Sequence, residues 1–306
     1  MCIWEKICEA EIPPIGHFIL SCGSCVECRR RKSTVCLDQK QPGFTQWGSF
    51  AEYVAVPRAE LNIHVLPKNS KLSFVEAAAL GCRFTTAYRA IVQQGLKLER
   101  FDSITPQKNK TLAVFGCGGL GLSCVMIAKA VGHFQQIISV DISKPALEKA
   151  LNLGATDVVL QVANSSGDNL CESVRSLTPN QSGADLSIDA AGFKLSSENA
   201  VKCTRRGGRM VQVGLPQSVN IPMVQVAGQE LEIVGSHGLA SSDMKHIADL
   251  VETGQIDPKQ LIERMVPLEV GIQALMDMDQ ISPLGMTMIT SFSENENEHI
   301  NPSSRL

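Results

Sequence analysis

An α/β fold built on a doubly wound parallel sheet is what this 306-residue sequence predicts, and three observations predict it. From Lys110, "KTLAVFGCGGLGLSCVMIAKAVG" runs from an apolar β-rich stretch, Leu112 to Phe115, through a glycine turn. It continues into an apolar pattern of helical period at Leu122, Val125, Met126 and Ala130. Six strand-like runs then stand at crossover-length intervals, which implies parallel pairing with helices on both faces. The length suits about two domains, so part of the chain lies outside that sheet.

The elements follow in order. After "KTLAVF" comes "QIISVDIS" as the second strand, then "SKPALEKALNLGA", a helix with Ser143 as cap, Pro145 in the first turn and Gly154 at its end. "DVVL" (Asp157 to Leu160) is the third strand, and the polar stretch beyond it leads into a helix around Cys171 to Leu177. "DLSIDAAG" (Asp185 to Gly192), a helix near Ser196 to Cys203, "GRMVQVGL" (Gly208 to Leu215) and "LEIVGSHG" (Leu231 to Gly238) complete the set. Cys124, Cys171 and Cys203 fall in helices and read as core. His64, in "LNIHVLP", reads as a packed or solvent-facing strand residue, and His237 as structural or close to the ligand crevice rather than catalytic.

Composition narrows the function. With 28 Lys plus Arg against 31 Asp plus Glu, the net charge is −3, so there is no basic field for nucleic acid. No apolar run approaches the roughly 18–20 residues that span a bilayer, and the opening "MCIWEKICEAEIPP" does not read as a secretory signal. The expected partners are therefore small molecules, with neither nucleic acid nor membrane, in the cytoplasm. In a reducing compartment, clustered cysteines point to metal or redox chemistry rather than disulfides.

Such a cluster is present in "CGSCVECRRRKSTVC", where Cys22, Cys25 and Cys28 are each two residues apart and Cys36 follows after seven more. Four thiolates close a tetrahedral zinc and leave no position for substrate, so the site would be structural. An iron–sulfur cluster fits less well, since the fourth spacing differs from the ferredoxin run and Leu37, not Pro, follows Cys36. The insert Arg29 to Lys32 reads as a solvated loop. In the glycine turn, Gly116-Cys117-Gly118-Gly119-Leu120-Gly121 matches G-x-G-x-x-G, and Asp141 follows about twenty residues on, within the next apolar run. The first Gly permits the turn, the second lets backbone approach a pyrophosphate, and the third lets helix and strand pack closely. The acid is placed for the adenosine ribose. Asp141 repels a 2′-phosphate, so NAD rather than NADP is expected, with Lys144 placed near the adenosine.

"CGSCVECRRRKSTVC", "WGSFAEYVAVP" (Trp47 to Pro57), "GCRFTTAYRA" (Gly81 to Ala90) and the glycine fingerprint together resemble the zinc-containing alcohol dehydrogenases of the medium-chain dehydrogenase/reductase superfamily, over about Phe18 to Ile289. The resemblance implies a Rossmann domain set within a split, N-terminally shortened GroES-like β domain. The boundaries expected are 1–88 for the partial GroES-like domain with the zinc loop, 89–236 for the Rossmann domain, 237–291 for the return, and 292–306 for a disordered tail. It implies a structural zinc on the four cysteines, a homo-oligomer, and hydride transfer between an alcohol and NAD with an aldehyde or ketone as product. The family's third catalytic-zinc ligand falls on Cys82. Its first two, a Cys and the His of a Gly-His-Glu motif, precede the structural loop by several tens of residues, whereas twenty-one residues precede Cys22 here. "IGHF" imitates the His motif, but Phe18 replaces the Glu and His17 lies too close to Cys22; Cys2 and Cys8 are the remaining substitutes. The catalytic zinc site is therefore expected to be incomplete. The alternatives are a zinc-free quinone-reductase-like oxidoreductase, against which the four-Cys loop argues, and a non-enzymatic NAD-binding, zinc-braced product.

Overall fold

The computed structural model describes residues 14–51, 53–98, 109–161, 167–279 and 283–291. Cys2, Cys8 and the tail from 292 lie outside the described residues. The chain divides into two compact units, Met1–Gly81 with Pro258–Leu306, and Cys82–Asp257.

In the first unit, β1 (Pro14–Gly16) pairs antiparallel with β2 (Ile63–Val65), with Ile15 opposite His64. Between these strands lie two short helices, α1 (Val26–Arg29) and α2 (Ala59–Asn62). The loop carrying the first is closed at its base by a two-way backbone pair, Leu20 N–H to Lys40 O and Lys40 N–H to Leu20 O, both 2.9 Å. Asn62, 1% exposed, anchors the same base. Its Oδ1 accepts from Ser21 N–H at 2.8 Å, while its Nδ2 donates to the carbonyls of Ser21 and Pro57 at 3.1 and 2.9 Å. A buried amide satisfied on both ends fixes one loop geometry, because leaving either end unpaired costs about 1–3 kcal/mol. Helix α3 (Phe74–Ala79) starts with a reciprocal capping box between Ser73 and Glu76.

The second unit opens with α4 (Cys82–Tyr88), continued by a π-helical stretch over Arg89–Gly95. Then strand and helix alternate: β3 (Lys110–Phe115), α5 (Gly119–Val131), β4 (Phe134–Asp141), α6 (Lys144–Leu153), β5 (Asp157–Leu160), α7 (Gly167–Leu177), β6 (Ala184–Asp189), α8 (Lys194–Cys203), β7 (Thr204–Gln212) and β8 (Glu232–Gly235). All five strand pairings are parallel and the order is β5-β4-β3-β6-β7-β8, so the six expected strands form one doubly wound sheet. The order reverses between β3 and β6, and right-handed crossovers send the two halves' helices to opposite faces. Leu112, Ala113, Val114 and Phe115 on β3 are all buried, as a central strand covered on both faces requires. Ser143 caps α6 and Gly154 ends it, as the sequence predicts. Cys124, Cys171 and Cys203 are buried in the core.

The chain then returns to the first unit with β9 (Ile262–Pro267), α9 (Leu268–Met276) and β10 (Met286–Ser291), the two strands pairing in parallel. There Lys259 Nζ meets Glu76 Oε1 of the α3 capping box at 3.2 Å.

One buried carboxylate organises the switch region of the sheet and was not singled out in the sequence. Asp189 ends β6 fully buried and accepts from Ser197 Oγ at 2.5 Å, Gln212 Nε2 at 2.6 Å, and the N–H groups of Ala191 and Gly192 at 3.1 Å each. It ties β6, α8, β7 and the intervening turn to one point. Asp189→Ala strands those donors, and a loss of about 2–4 kcal/mol is expected. A urea midpoint unchanged from wild type would contradict that role.

Candidate coenzyme and zinc sites

The four cysteines converge. Sγ atoms of Cys22, Cys25, Cys28 and Cys36 all lie within 4.8 Å of one another. A zinc–sulfur bond of about 2.3 Å in a tetrahedron sets the sulfurs about 3.8 Å apart, and those of Cys25 and Cys36 stand at 3.8 Å. The donor set therefore fits zinc on its own geometry. Local structure builds the knuckle: Gly23 takes φ +73°, Cys25 caps α1, and a 3₁₀ turn over Ser33–Val35 brings back Cys36. Backbone N–H groups point at the sulfurs, from Cys25 and Ser24 to Cys22 at 3.2 and 3.4 Å, from Cys22 to Cys36 at 3.3 Å, and from Cys28 to Cys25 at 3.5 Å. Such donors favour thiolate, and those from Ser24 and Cys25 lower the Cys22 pKa to about 6, whereas burial pushes Cys28 up to about 12. Arg29, Arg30, Arg31 and Lys32 are exposed, with Arg30 paired to Glu27 at 2.9 Å.

The glycine turn adopts the geometry of a dinucleotide cradle. Gly116 turns the chain at φ +94°, and its N–H reaches Val140 O at 2.8 Å. A Cβ on Gly121 would lie 1.8 Å from the Gly116 carbonyl oxygen, so only glycine lets α5 approach β3 this closely. A Cβ on Gly118 would meet nothing within 4 Å, leaving open space beside the start of α5. Gly119 and Leu120 are the first two residues of that thirteen-residue helix, buried and half-buried. Its unsatisfied N–H groups and positive dipole end suit a phosphate.

Asp141 stands at the end of β4 beside this turn. Its Oδ2 accepts from Cys117 N–H at 2.6 Å and its Oδ1 from Ser143 N–H at 2.7 Å. The sequence shows the acid but not this second task, which couples the β3–α5 and β4–α6 turns. Each carboxylate oxygen carries a further lone pair, so ribose hydroxyls retain acceptors. Burial and the Asp141 charge push the Cys117 thiol up to about 12 and keep it neutral. Lys144 opens α6 and is exposed.

Cys82 opens α4. It is solvent-exposed, yet desolvation around its sulfur raises the thiol pKa against the opposing Thr86 hydrogen bond and Arg83 charge. Among the described residues the quartet is the one group of three or more metal-ligating side chains, and neither Cys82, His17, His64 nor His237 belongs to it. His17 is 5% exposed. The His237 pKa is lowered first by desolvation and then by Arg89.

A parallel sheet with a glycine cradle and acid at its carboxyl edge, joined to a unit carrying a four-cysteine knuckle, defines a zinc-braced dinucleotide-binding protein. The zinc-binding dehydrogenase family matches residues 119–253. A probable D-xylulose reductase A of Aspergillus terreus is 30% identical over 263 residues, 85% of this chain and 69% of that protein. An NAD-dependent alcohol dehydrogenase of Sulfurisphaera tokodaii is 31% identical over 271 residues, 87% and 71% of the respective chains. The crystal structure of the D-arabinose dehydrogenase from Sulfolobus solfataricus superposes with a TM-score of 0.69 at 30% identity, covering 83% of this chain and 73% of that one. The chain belongs to the zinc-binding dehydrogenase family, the zinc alcohol dehydrogenases of the medium-chain superfamily.

The two glycines predict a sharp contrast. Gly121→Ala drives a Cβ into backbone and should cost about 1–3 kcal/mol, whereas Gly118→Ala enters open space and should leave the melting temperature nearly unchanged. Equal melting temperatures for both variants would contradict the close approach.

Proposed function

We propose that this chain binds NAD in the glycine cradle, carries one structural zinc in the cysteine quartet, and belongs to the reaction class of NAD-dependent oxidation of a small alcohol or polyol to its aldehyde or ketone. The observation that carries the reading is the pairing of the Gly116–Gly121 cradle with the Asp141 carboxylate. The names of the relatives, alcohol dehydrogenases and xylulose reductases, supply the substrate class. Bound NAD supplies the hydride acceptor. The chain's own groups bind and orient: Gly118, Gly119 and Leu120 present helix N–H groups to the pyrophosphate, Asp141 accepts from the adenosine ribose, and Lys144 lies on the adenosine side. Cys22, Cys25, Cys28 and Cys36 hold zinc with every position filled, so that ion braces the fold and takes no substrate. Small-molecule partners, a homo-oligomer and a cytoplasmic setting complete the proposal; no described helix is long and apolar enough to cross a membrane.

Cys82 is the residue proposed to face a catalytic zinc. An open catalytic site takes about three protein ligands, and among the described residues Cys82 joins no such group. The same observation favours a second reading, an NAD-binding, zinc-braced protein without alcohol turnover. Zinc content and NADH formation across primary, secondary and polyhydric alcohols separate the two. Turnover that is lost in Cys82→Ser supports the dehydrogenase, and NAD binding with one zinc and no turnover supports the second reading.

Replacing Cys28 with Ser is expected to remove the bound zinc and lower stability together, because ligand deprotonation, metal binding and local folding are coupled. Full zinc content in that variant would contradict the assignment. The coupling also has a sign in pH: zinc displaces thiol protons, so retention against a chelator should weaken as pH falls.

NAD should bind at least about tenfold more tightly than NADP, a difference of about 1.4 kcal/mol, because Asp141 repels a 2′-phosphate. Asp141→Asn should narrow that ratio. Calorimetric titration showing tighter NADP binding to wild type would overturn the coenzyme assignment.

A further inference from the structure

One cation is placed where a helix should repel it. Arg83, the second residue of α4, lies across the start of α5: a Cβ built on Gly119 would stand 2.6 Å from Arg83 Nη1 and 2.9 Å from its Cδ. The absent side chain at Gly119 is thus the room in which the arginine lies. A helix N-terminus carries partial positive charge, and a guanidinium beside it is electrostatically unfavourable. Other arginines of this unit have partners, Arg89 on Gln93, Arg205 on Asp185 and Arg209 on Glu232. Among the described residues Arg83 forms no ion pair and no side-chain hydrogen bond. It is half-buried, so water does not fully screen it.

Arg83 and the start of α5 meet at Gly119, and the space beside the adjoining Gly118 is open. An anion placed there would accept from both. We propose that Arg83 is a pyrophosphate-binding residue of this chain, clamping the diphosphate bridge of the dinucleotide against the α5 N-terminus. The inference rests on the coenzyme reading above and adds a residue that the glycine fingerprint does not contain. A guanidinium offers a planar fork of donors matched to phosphate oxygens, and charge-assisted bonds of this kind are about twice as strong as neutral ones. The helix end supplies direction and Arg83 supplies formal charge. Positive charge brought to an anion also makes binding salt-dependent.

The test uses the full chain titrated with NAD, ADP-ribose and adenosine, comparing wild type with Arg83→Gln and Arg83→Lys. Arg83→Gln is expected to weaken NAD and ADP-ribose by at least about tenfold, to flatten their salt dependence, and to leave adenosine binding and the melting temperature of the ligand-free protein unchanged. Arg83→Lys should recover part of the loss. Unchanged NAD and ADP-ribose affinity in Arg83→Gln overturns the assignment, as does an equal loss for adenosine, which would make Arg83 a packing residue. Should Arg83→Gln not fold, Arg83→Met, which keeps the stem over Gly119, answers the same question by the same comparison. Failure of wild type to bind NAD would instead sink the coenzyme reading itself, so the two failures are distinguishable.

Discussion

The approach of α5 to β3 constrains everything built at the carboxyl edge of the sheet. A side chain at Gly121 cannot coexist with the Gly116 carbonyl, and the turn between them fits because Gly116 takes φ +94°. Asp141 then fixes the turn from the neighbouring strand through Cys117 N–H, and through Ser143 N–H it fixes the start of α6. One carboxylate joins two βα corners, so the cradle is a property of the folded unit before any ligand arrives. Pre-organisation of this kind lowers the ordering cost of binding. Asp189 does comparable work on the other side of the switch point, gathering β6, β7, α8 and the turn after β6.

The first unit solves a different problem. Its described strands form only two-stranded sheets, β1 with β2 and β9 with β10. Little regular hydrogen bonding is available to hold the loop between Leu20 and Lys40, and the order comes from three local devices instead. The Leu20–Lys40 pair closes its base, Asn62 satisfies Ser21 and Pro57 from beneath, and four sulfurs meet at its centre. Close sulfurs aimed at by backbone N–H groups are an arrangement that a cation stabilises and that bare thiols do not. The brace therefore fits the site as a fold requirement.

Much of this was legible in the sequence because the signals are local. The apolar, β-rich runs within Lys110–Phe115, Phe134–Asp141 and Asp157–Leu160 mark strands by composition, and Ser143, Pro145 and Gly154 mark the limits of α6 by capping chemistry. The cysteine spacing and the glycine pattern encode their own geometry over a few residues. Asp189 and Arg83 were not legible, since their roles depend on partners brought together by the fold. Asp189 reads as one acid in "DLSIDAAG", and only the packing of β6 against β7 gives it Gln212. Arg83 reads as one more surface charge until α4 is laid against α5. Asp141 was half legible: its position marks a ribose contact, but its bond to Cys117 N–H exists only across two strands.

The central claim is that the dinucleotide cradle is built into the fold, with Asp141 holding both corners in the absence of coenzyme. Residue-resolved amide hydrogen exchange on the full, ligand-free chain tests it most directly. The account predicts that the Cys117 and Ser143 amides, both bonded to Asp141, are already protected without NAD and slow further when NAD is added. Exchange of both amides at unfolded-chain rates until NAD is present would contradict it.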